Sequence, residues 1–234
     1  MRLLSRSHKT DLSDTYVGNL DFYMHYMSPS DYSSVANVCP YASKQCRAVC
    51  LTFAGMGAFA NVQRARNERV KAYVNDPIAY VAQLQAEIDG AVEKARRRGK
   101  AGIAVRLNGM SDLDWSDVYA AYQYEASRVR FYEYTKAGAW KRGKLLNLGV
   151  YLTYSLSEKL ESAAESHEWR KYGVNTAVVF PGKVLPERYT IADVAYPVID
   201  GDLHDARWLD RQGVVVGLRA KGKAKKLKAG GFVR

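Results

Sequence analysis

Cysteine is missing from the whole chain except one stretch, Asn37-Val38-Cys39-Pro40-Tyr41-Ala42-Ser43-Lys44-Gln45-Cys46-Arg47-Ala48-Val49-Cys50, which holds all three. An odd number cannot pair completely within one chain, and disulfide-stapled secreted scaffolds spread their cysteines through the fold, so that class is excluded. No run approaches eighteen consecutive apolar residues, as a membrane-crossing helix requires. The opening Met1-Arg2-Leu3-Leu4-Ser5-Arg6-Ser7-His8-Lys9 lacks the apolar stretch of a secretory signal. The expectation is a cytoplasmic protein with no membrane partner, whose thiols stay reduced and open to metal. No G-x-G-x-x-G follows a strand-like run, which weakens a dinucleotide-binding reading. No nucleophile and base stand at a spacing suited to hydrolysis.

What is present is enough for one sizeable core: 234 residues, 47% of them hydrophobic. Residues 1–19 read as a basic N-terminal arm and residues 20–234 as a single domain, with a cysteine loop at 37–57. The net charge of +11 gathers at Arg96-Arg97-Arg98-Gly99-Lys100 and at Lys221-Gly222-Lys223-Ala224-Lys225-Lys226-Leu227-Lys228. Such an excess favours polyanions, nucleic acid among them, although basic runs also serve as plain solvated faces.

An aromatic-rich run at 20–27 reads as a first strand, with the cysteine loop after it. Helical periodicity follows through Val62, Ala65, Arg66, Arg69, Val70 and Tyr73. A second helix starts at Asn75-Asp76-Pro77 and is carried to about Arg98 by Ile78, Val81, Leu84, Ile88 and Val92. Beyond it, short apolar runs at 103–107, 129–134, 150–154, 176–180, 196–200 and 214–218 read as buried strands, most separated by room for a crossover helix. About seven strands in such alternation predict a parallel-stranded α/β domain, a (β/α) barrel or partial barrel. A flat doubly wound sheet is the structural alternative.

In parallel α/β folds, function gathers where strands end, because the loops there converge on one opening. The strand ends here carry Arg106, Asn108, Ser111 and Asp112, then Lys136, then Ser155, Ser157 and Glu158, then Asp200-Gly201-Asp202-Leu203-His204-Asp205, then Lys221. Turn-making and helix-capping compete for Asn108, Ser111 and Ser157. Arg106, Lys136 and Lys221 need anions if they are desolvated. One histidine among three aspartates suggests either a divalent-metal set or an internal salt-bridge network. The cysteine loop belongs to the same edge. Its three thiolates suit a soft metal with one position open, either zinc completed by His204 or an aspartate, or a 4Fe-4S cluster with one free iron. Closer cysteine pairs are usual for zinc, so the gap of six residues favours the cluster. Tyr23, Tyr26, Tyr32 and Tyr41 surround the loop and would shield a cluster from water.

The Asn37-to-Ser43 run with Cys46 and Cys50, Arg106-Leu107-Asn108-Gly109 with Ser111-Asp112, Tyr134-Thr135-Lys136, and Asp200-Gly201-Asp202 with His204-Asp205 together resemble a bacteriophage family, gene product 88. The resemblance runs from about residue 20 to Val233 and implies a protein at work in the cytoplasm of an infected host cell. A looser resemblance is to radical S-adenosylmethionine enzymes. These commonly use a partial barrel with three cysteines after its first strand, holding a 4Fe-4S cluster whose open iron chelates the cosubstrate. Their common spacing is three residues and then two, against six and then three here, and Gly55-Met56-Gly57 does not replace their glycine-rich segment. The resemblance implies Cys39, Cys46 and Cys50 as cluster ligands and S-adenosylmethionine as a possible cosubstrate. Arg106, Asn108, Lys136, Ser155, Asp202 and Lys221 would then line an opening for a small-molecule or anionic ligand at the open iron. Two alternatives stand beside it: a non-radical iron-sulfur protein with a nucleic-acid-related role, and a structural zinc protein.

Overall fold

Among the residues described by the computed structural model (1–30, 32–227 and 230–234), nine strands form one sheet. They are β1 (Leu4–Ser5), β2 (Leu20–His25), β3 (Gly102–Arg106), β4 (Val129–Thr135), β5 (Tyr151–Ser155), β6 (Asn175–Phe180), β7 (Arg188–Ile191), β8 (Val194–Asp200) and β9 (Val215–Arg219). Their order across the sheet is β1-β2-β3-β4-β5-β6-β9-β8-β7. From β2 to β8 every pairing is parallel, as the buried apolar runs predict, while β1 and β7 pair antiparallel with their neighbours.

The expected barrel closure does not occur. Closure would pair β8 with β2, but β7 takes the free edge of β8 and β1 takes that of β2. The chain reaches β7 and β8 by a hairpin whose two turn residues, Ala192 and Asp193, have φ of 46° and 65°. That is the positive-φ pair of a tight two-residue hairpin turn. Residues 1–19, expected as an arm, instead form β1 and helix α1 (His8–Val17). The Ser7 side chain accepts from Thr10 N–H while the Thr10 hydroxyl accepts from Ser7 N–H, a reciprocal cap that fixes the start of α1.

Alternation along the strands separates two faces. Tyr23, Ile103, Val105, Phe131 and Val178 point to the main core, which is covered by α3 (Ala60–Asn75), α4 (Pro77–Arg97), α5 (Ser116–Ala121), α7 (Lys144–Asn147) and α8 (Ser162–Lys171). Helix α4 starts where Asp76 accepts from Ala79 N–H ahead of Pro77, and it buries Tyr80, Leu84, Ile88, Ala91, Val92 and Ala95. Leu20, Phe22, Ala104 and Tyr132 point to the opposite face. There the segment 201–210 lies down: Ala206 joins the cluster, and Trp208 stacks on Phe22 at 5.7 Å and meets Tyr132 at 6.2 Å. No helix of the described residues is long and apolar enough to cross a membrane.

His25 locks β2 to this framework. Its buried ring places Nδ1 2.8 Å from Leu107 O and Nε2 2.7 Å from the Tyr80 hydroxyl, so the neutral ring donates to the carbonyl and accepts from the phenol. Burial lowers its pKa to about 4, the carbonyl bond opposing and Arg69 assisting. A depressed histidine leaves the unfolded chain binding the extra proton, so this contribution is complete above about pH 6.5 and is lost as pH falls toward 4. In urea unfolding across that window, the His25→Gln variant should show a shallower fall of stability with acidity than the parent. Equal slopes would refute the assignment.

Candidate metal centre

Between β2 and α3 the chain leaves the C-terminal edge of the parallel strands and returns with the three cysteines. Cys39 N–H donates to Asn37 Oδ1 at 2.9 Å, a local turn, and Cys39 Sγ lies 3.1 Å from Met110 O in the loop after β3. Asp112 N–H from that loop donates to Val38 O at 2.8 Å. Ser43 caps the short helix α2 (Lys44–Ala48) by accepting from Cys46 N–H at 3.1 Å. Its hydroxyl donates to Glu158 Oε2 at 2.7 Å, and Glu158 Oε1 accepts from Gln45 N–H at 2.8 Å. Gln45 Oε1 in turn accepts from Phe232 N–H at 2.7 Å. The loop is thus tied to the ends of β3 and β5 and to the last residues of the chain.

All three cysteines are free thiols, half-buried and within electrostatic reach of one another. Burial pushes the Cys39 thiol up to about 12 and the Cys50 thiol up to about 11, and the neighbouring sulfurs add to both. Arg66 and Lys136 act the other way on Cys50. Arg66 is itself buried, donating to Thr52 Oγ1 at 3.3 Å and lying 5.0 Å over the Tyr26 ring. Gly57 makes room for it: a Cβ there would stand 3.0 Å from both Arg66 Nη1 and Thr52 O.

The other residues expected at the opening divide. Lys136 and Ser155 meet beside the cysteines, Nζ to Oγ at 2.6 Å. Arg106 lies with its guanidinium 4.5 Å over Tyr134 and Nε 3.1 Å from Asn108 O, holding its charge against burial through Asp205 and Glu133. Asn108 lines no opening. It is 3% exposed, and its Oδ1 accepts from Ser111, Leu113 N–H and Trp115 Nε1, so it braces the loop it was expected to present. Asp202 and Lys221 satisfy each other at 2.7 Å, while Arg219 grips Asp200 with two 2.8 Å contacts and donates its N–H to Asp202. The acidic run is therefore the salt-bridge network and not the divalent site. His204 stacks on Tyr16 at 3.9 Å with Nδ1 3.1 Å from Arg207, and Asp205 faces Lys9 at 3.5 Å. His204 is thus engaged with Tyr16 and Arg207, within the segment 201–210.

Sequence reasoning missed Arg66, Arg142 and Glu133. The signal for Glu133 was a carboxylate inside an apolar strand run. It is fully buried and accepts from Leu107 N–H at 2.8 Å, Asn108 N–H at 3.1 Å and the Tyr119 hydroxyl at 2.7 Å. Burial raises its pKa to about 7, with Arg106 and Tyr119 opposing. The basic clusters lie at opposite edges. Residues 96–100 precede β3 and are tied down by Arg98 to Asp21 and by Lys100 to Gly18 O, while Lys221 to Lys226 follow β9. Lys228 lies outside the described residues. Surface hollows of about 300 and 240 Å³ are lined by Glu158, Lys159 and Tyr189 among others in the first and by Tyr23 and Glu87 among others in the second, and neither is lined by a cysteine.

By residue type the loop offers three thiols with Arg66 and Lys136 beside Cys50 and Asp112 near Cys39. Among the described residues no three His, Cys, Asp or Glu side chains converge closely enough to hold one metal ion. A tetrahedral zinc with bonds of ~2.3 Å needs sulfurs about 3.8 Å apart. A cluster spreads its thiolates over separate irons and holds them farther apart than a single zinc does. The fold is an open, mostly parallel α/β sheet whose three cysteines lie on one loop at its C-terminal edge. The chain belongs to the gene product 88 family, whose model matches residues 2–234. No curated protein and no solved structure matches it, and the looser likeness to radical S-adenosylmethionine enzymes finds no support there.

The tie through Asp112 is open to direct measurement. Its carboxylate accepts from Thr135 Oγ1 and Lys136 N–H, both at 3.0 Å, and faces the buried Arg142 at 3.5 Å. Asp112→Ala leaves the buried Thr135 hydroxyl and the Lys136 N–H without their acceptor and Arg142 with only Asp114, at 3.7 Å, as a carboxylate partner, and should cost about 2 kcal/mol or more in urea unfolding. It should also speed alkylation of Cys39. A loss under about 1 kcal/mol, the level of an exposed pair, would show that the tie is not structural.

Proposed function

We propose that Cys39, Cys46 and Cys50 hold a 4Fe-4S cluster with one iron open at the C-terminal edge of the sheet, and that the chain acts on a ligand presented there. The observation that carries this reading is the gathering of the chain's only three thiols within reach of one another, beside Arg66 and Lys136. When bound, such a cluster supplies one-electron chemistry and a Lewis-acidic iron. The chain's own residues would do the rest. Arg66 and Lys136 offset thiolate charge, Lys136 and Ser155 hold a polar group near the centre, and Arg106 offers a cation to an anionic group. Asn108 and Asp112 position the loop, and Asp202 with Lys221 forms part of the rim. S-adenosylmethionine as the ligand of the open iron is the narrower form of the reading. The reducing cytoplasm of an infected host cell is the compartment it requires.

Anaerobic purification should yield a brown protein with broad absorption near ~400 nm and about four irons per chain. Cys39→Ser, Cys46→Ser and Cys50→Ser should each lose most of the iron while keeping the parent's circular dichroism. A colourless protein carrying zinc would overturn the reading. Adding S-adenosylmethionine to the reduced protein tests the narrower form, which fails if the electron paramagnetic resonance signal stays unchanged.

A further inference from the structure

The edge that carries the thiols is flanked on both sides by aromatic rings with a lysine seated on them. On one side Tyr41, from the cysteine loop, and Trp140, from α6 (Ala139–Arg142), share the ammonium of Lys141. Its Nζ lies 4.9 Å from the first ring centre and 4.7 Å from the second. Trp140 is 83% exposed, and Lys159 Nζ reaches Tyr41 O at 3.3 Å. On the other side Lys223 Nζ sits 3.9 Å over Phe53, which packs edge-on against Tyr32 at 5.2 Å. Lys141, Lys159 and Lys223 are all exposed. At such positions a cation over a ring adds little to folding, so stability gives no account of this rim. The opposite face of the sheet, where a closed barrel would enclose a small substrate, is filled by Ala206 and Trp208. A reactant therefore approaches the thiols from solvent, across the rim.

The geometry points to a docking surface for single-stranded nucleic acid, with bases stacked on Trp140 and Tyr41 and phosphates met by Lys141, Lys159 and Lys223. This rests on the reading of the thiols as the reactive centre and names the class of substrate delivered to it. Flat rings interleaved with cations match a chain that alternates base and phosphate, and any base presents a π-face. An acidic protein would use the cations and leave Trp140 without a task. A duplex keeps its base faces in the stack. The net charge of +11 draws a polyanion to the molecule, and residues 96–100, at the other edge of the sheet, provide an internal control.

Fluorescence anisotropy with an end-labelled oligothymidine of about 16 nucleotides, within the usual span of such sites, tests this on the full chain. Binding should weaken steeply with salt. Trp140→Ala should lose about tenfold or more in affinity, while Trp140→Phe retains most of it. Lys141→Gln and Lys223→Gln should each flatten the logarithmic salt slope by about 0.7. The Arg96→Gln, Arg97→Gln double variant should stay within about twofold of the parent, the charge-only expectation for contacts not made. An unchanged melting curve for Trp140→Ala checks the fold. Absence of binding at low salt, indifference to Trp140, or equal loss in the Arg96, Arg97 variant would each overturn the proposal. Iron is measured in the same samples, with Cys46→Ser alongside. Trp140-dependent binding without iron in the parent leaves the surface standing and sinks the cluster. Iron without such binding does the reverse.

Discussion

Asp112 is where the loop after β3, the end of β4 and the cysteine segment are held to one another. Its N–H reaches Val38 O, its carboxylate takes the Thr135 hydroxyl and the Lys136 N–H, and its carbonyl accepts from Arg142 Nη2 at 2.6 Å. Burying a carboxylate costs several kcal/mol unless it is paired and hydrogen-bonded. Burial indeed raises its pKa, opposed by the Lys136 N–H, Arg142 and Thr135. The cost is offset by using one group for several segments at once. Without it the cysteine loop would lose its backbone tie to the end of β3 and keep those to Met110, Glu158, Lys159 and the chain's last residues.

The same economy shapes the charges around the thiols. Burial pushes Cys39 and Cys50 up to about 12 and about 11, so these two sulfurs favour the thiol over the thiolate at neutral pH. A positive centre among them reverses that preference, because a coordinating thiol is deprotonated outright. Arg66 and Lys136 stand close enough to share the resulting charge but have other bonds, to Thr52 and Ser155, and so do not collapse onto the sulfurs.

How much of this was legible follows from what periodicity can encode. Buried parallel strands read as unbroken apolar runs, so β2 to β6, β8 and β9 were visible, as was α4 behind Asp76-Pro77. Strand β1 is two residues long and β7 is half exposed, so neither carries a pattern. Whether the sheet closes depends on which strand lies beside which, and the return of β9 between β6 and β8 leaves no local trace. Among the residues expected at the opening, Lys136 and Ser155 do lie together at the strand ends beside the cysteine loop, a placement that follows from their position after buried apolar runs. Asn108 was misread because an amide at a strand end looks the same whether it faces a ligand or, as here, its own loop. Arg66 was passed over as one basic residue on a helix, since its burial depends on the distant turn at Gly57.

The face opposite the main core shows what the open sheet cost and what it gained. Around Arg207 and Asp210, which face each other at 3.1 Å, the Tyr132 and Tyr134 hydroxyls, Arg207 Nε and Trp208 Nε1 have no hydrogen-bond partner among the described residues. Each such atom forfeits roughly 1–3 kcal/mol if it stays dry. The layer is therefore held by ring stacking on Phe22, Tyr132 and Tyr151 more than by polar fit. A closed barrel would have spent this face on a substrate chamber. Here the chain's own segment fills it, and the half-buried cysteines lie on the outer edge, flanked by rings and lysines. Any ligand at that edge would be met by surface and charge, not by enclosure.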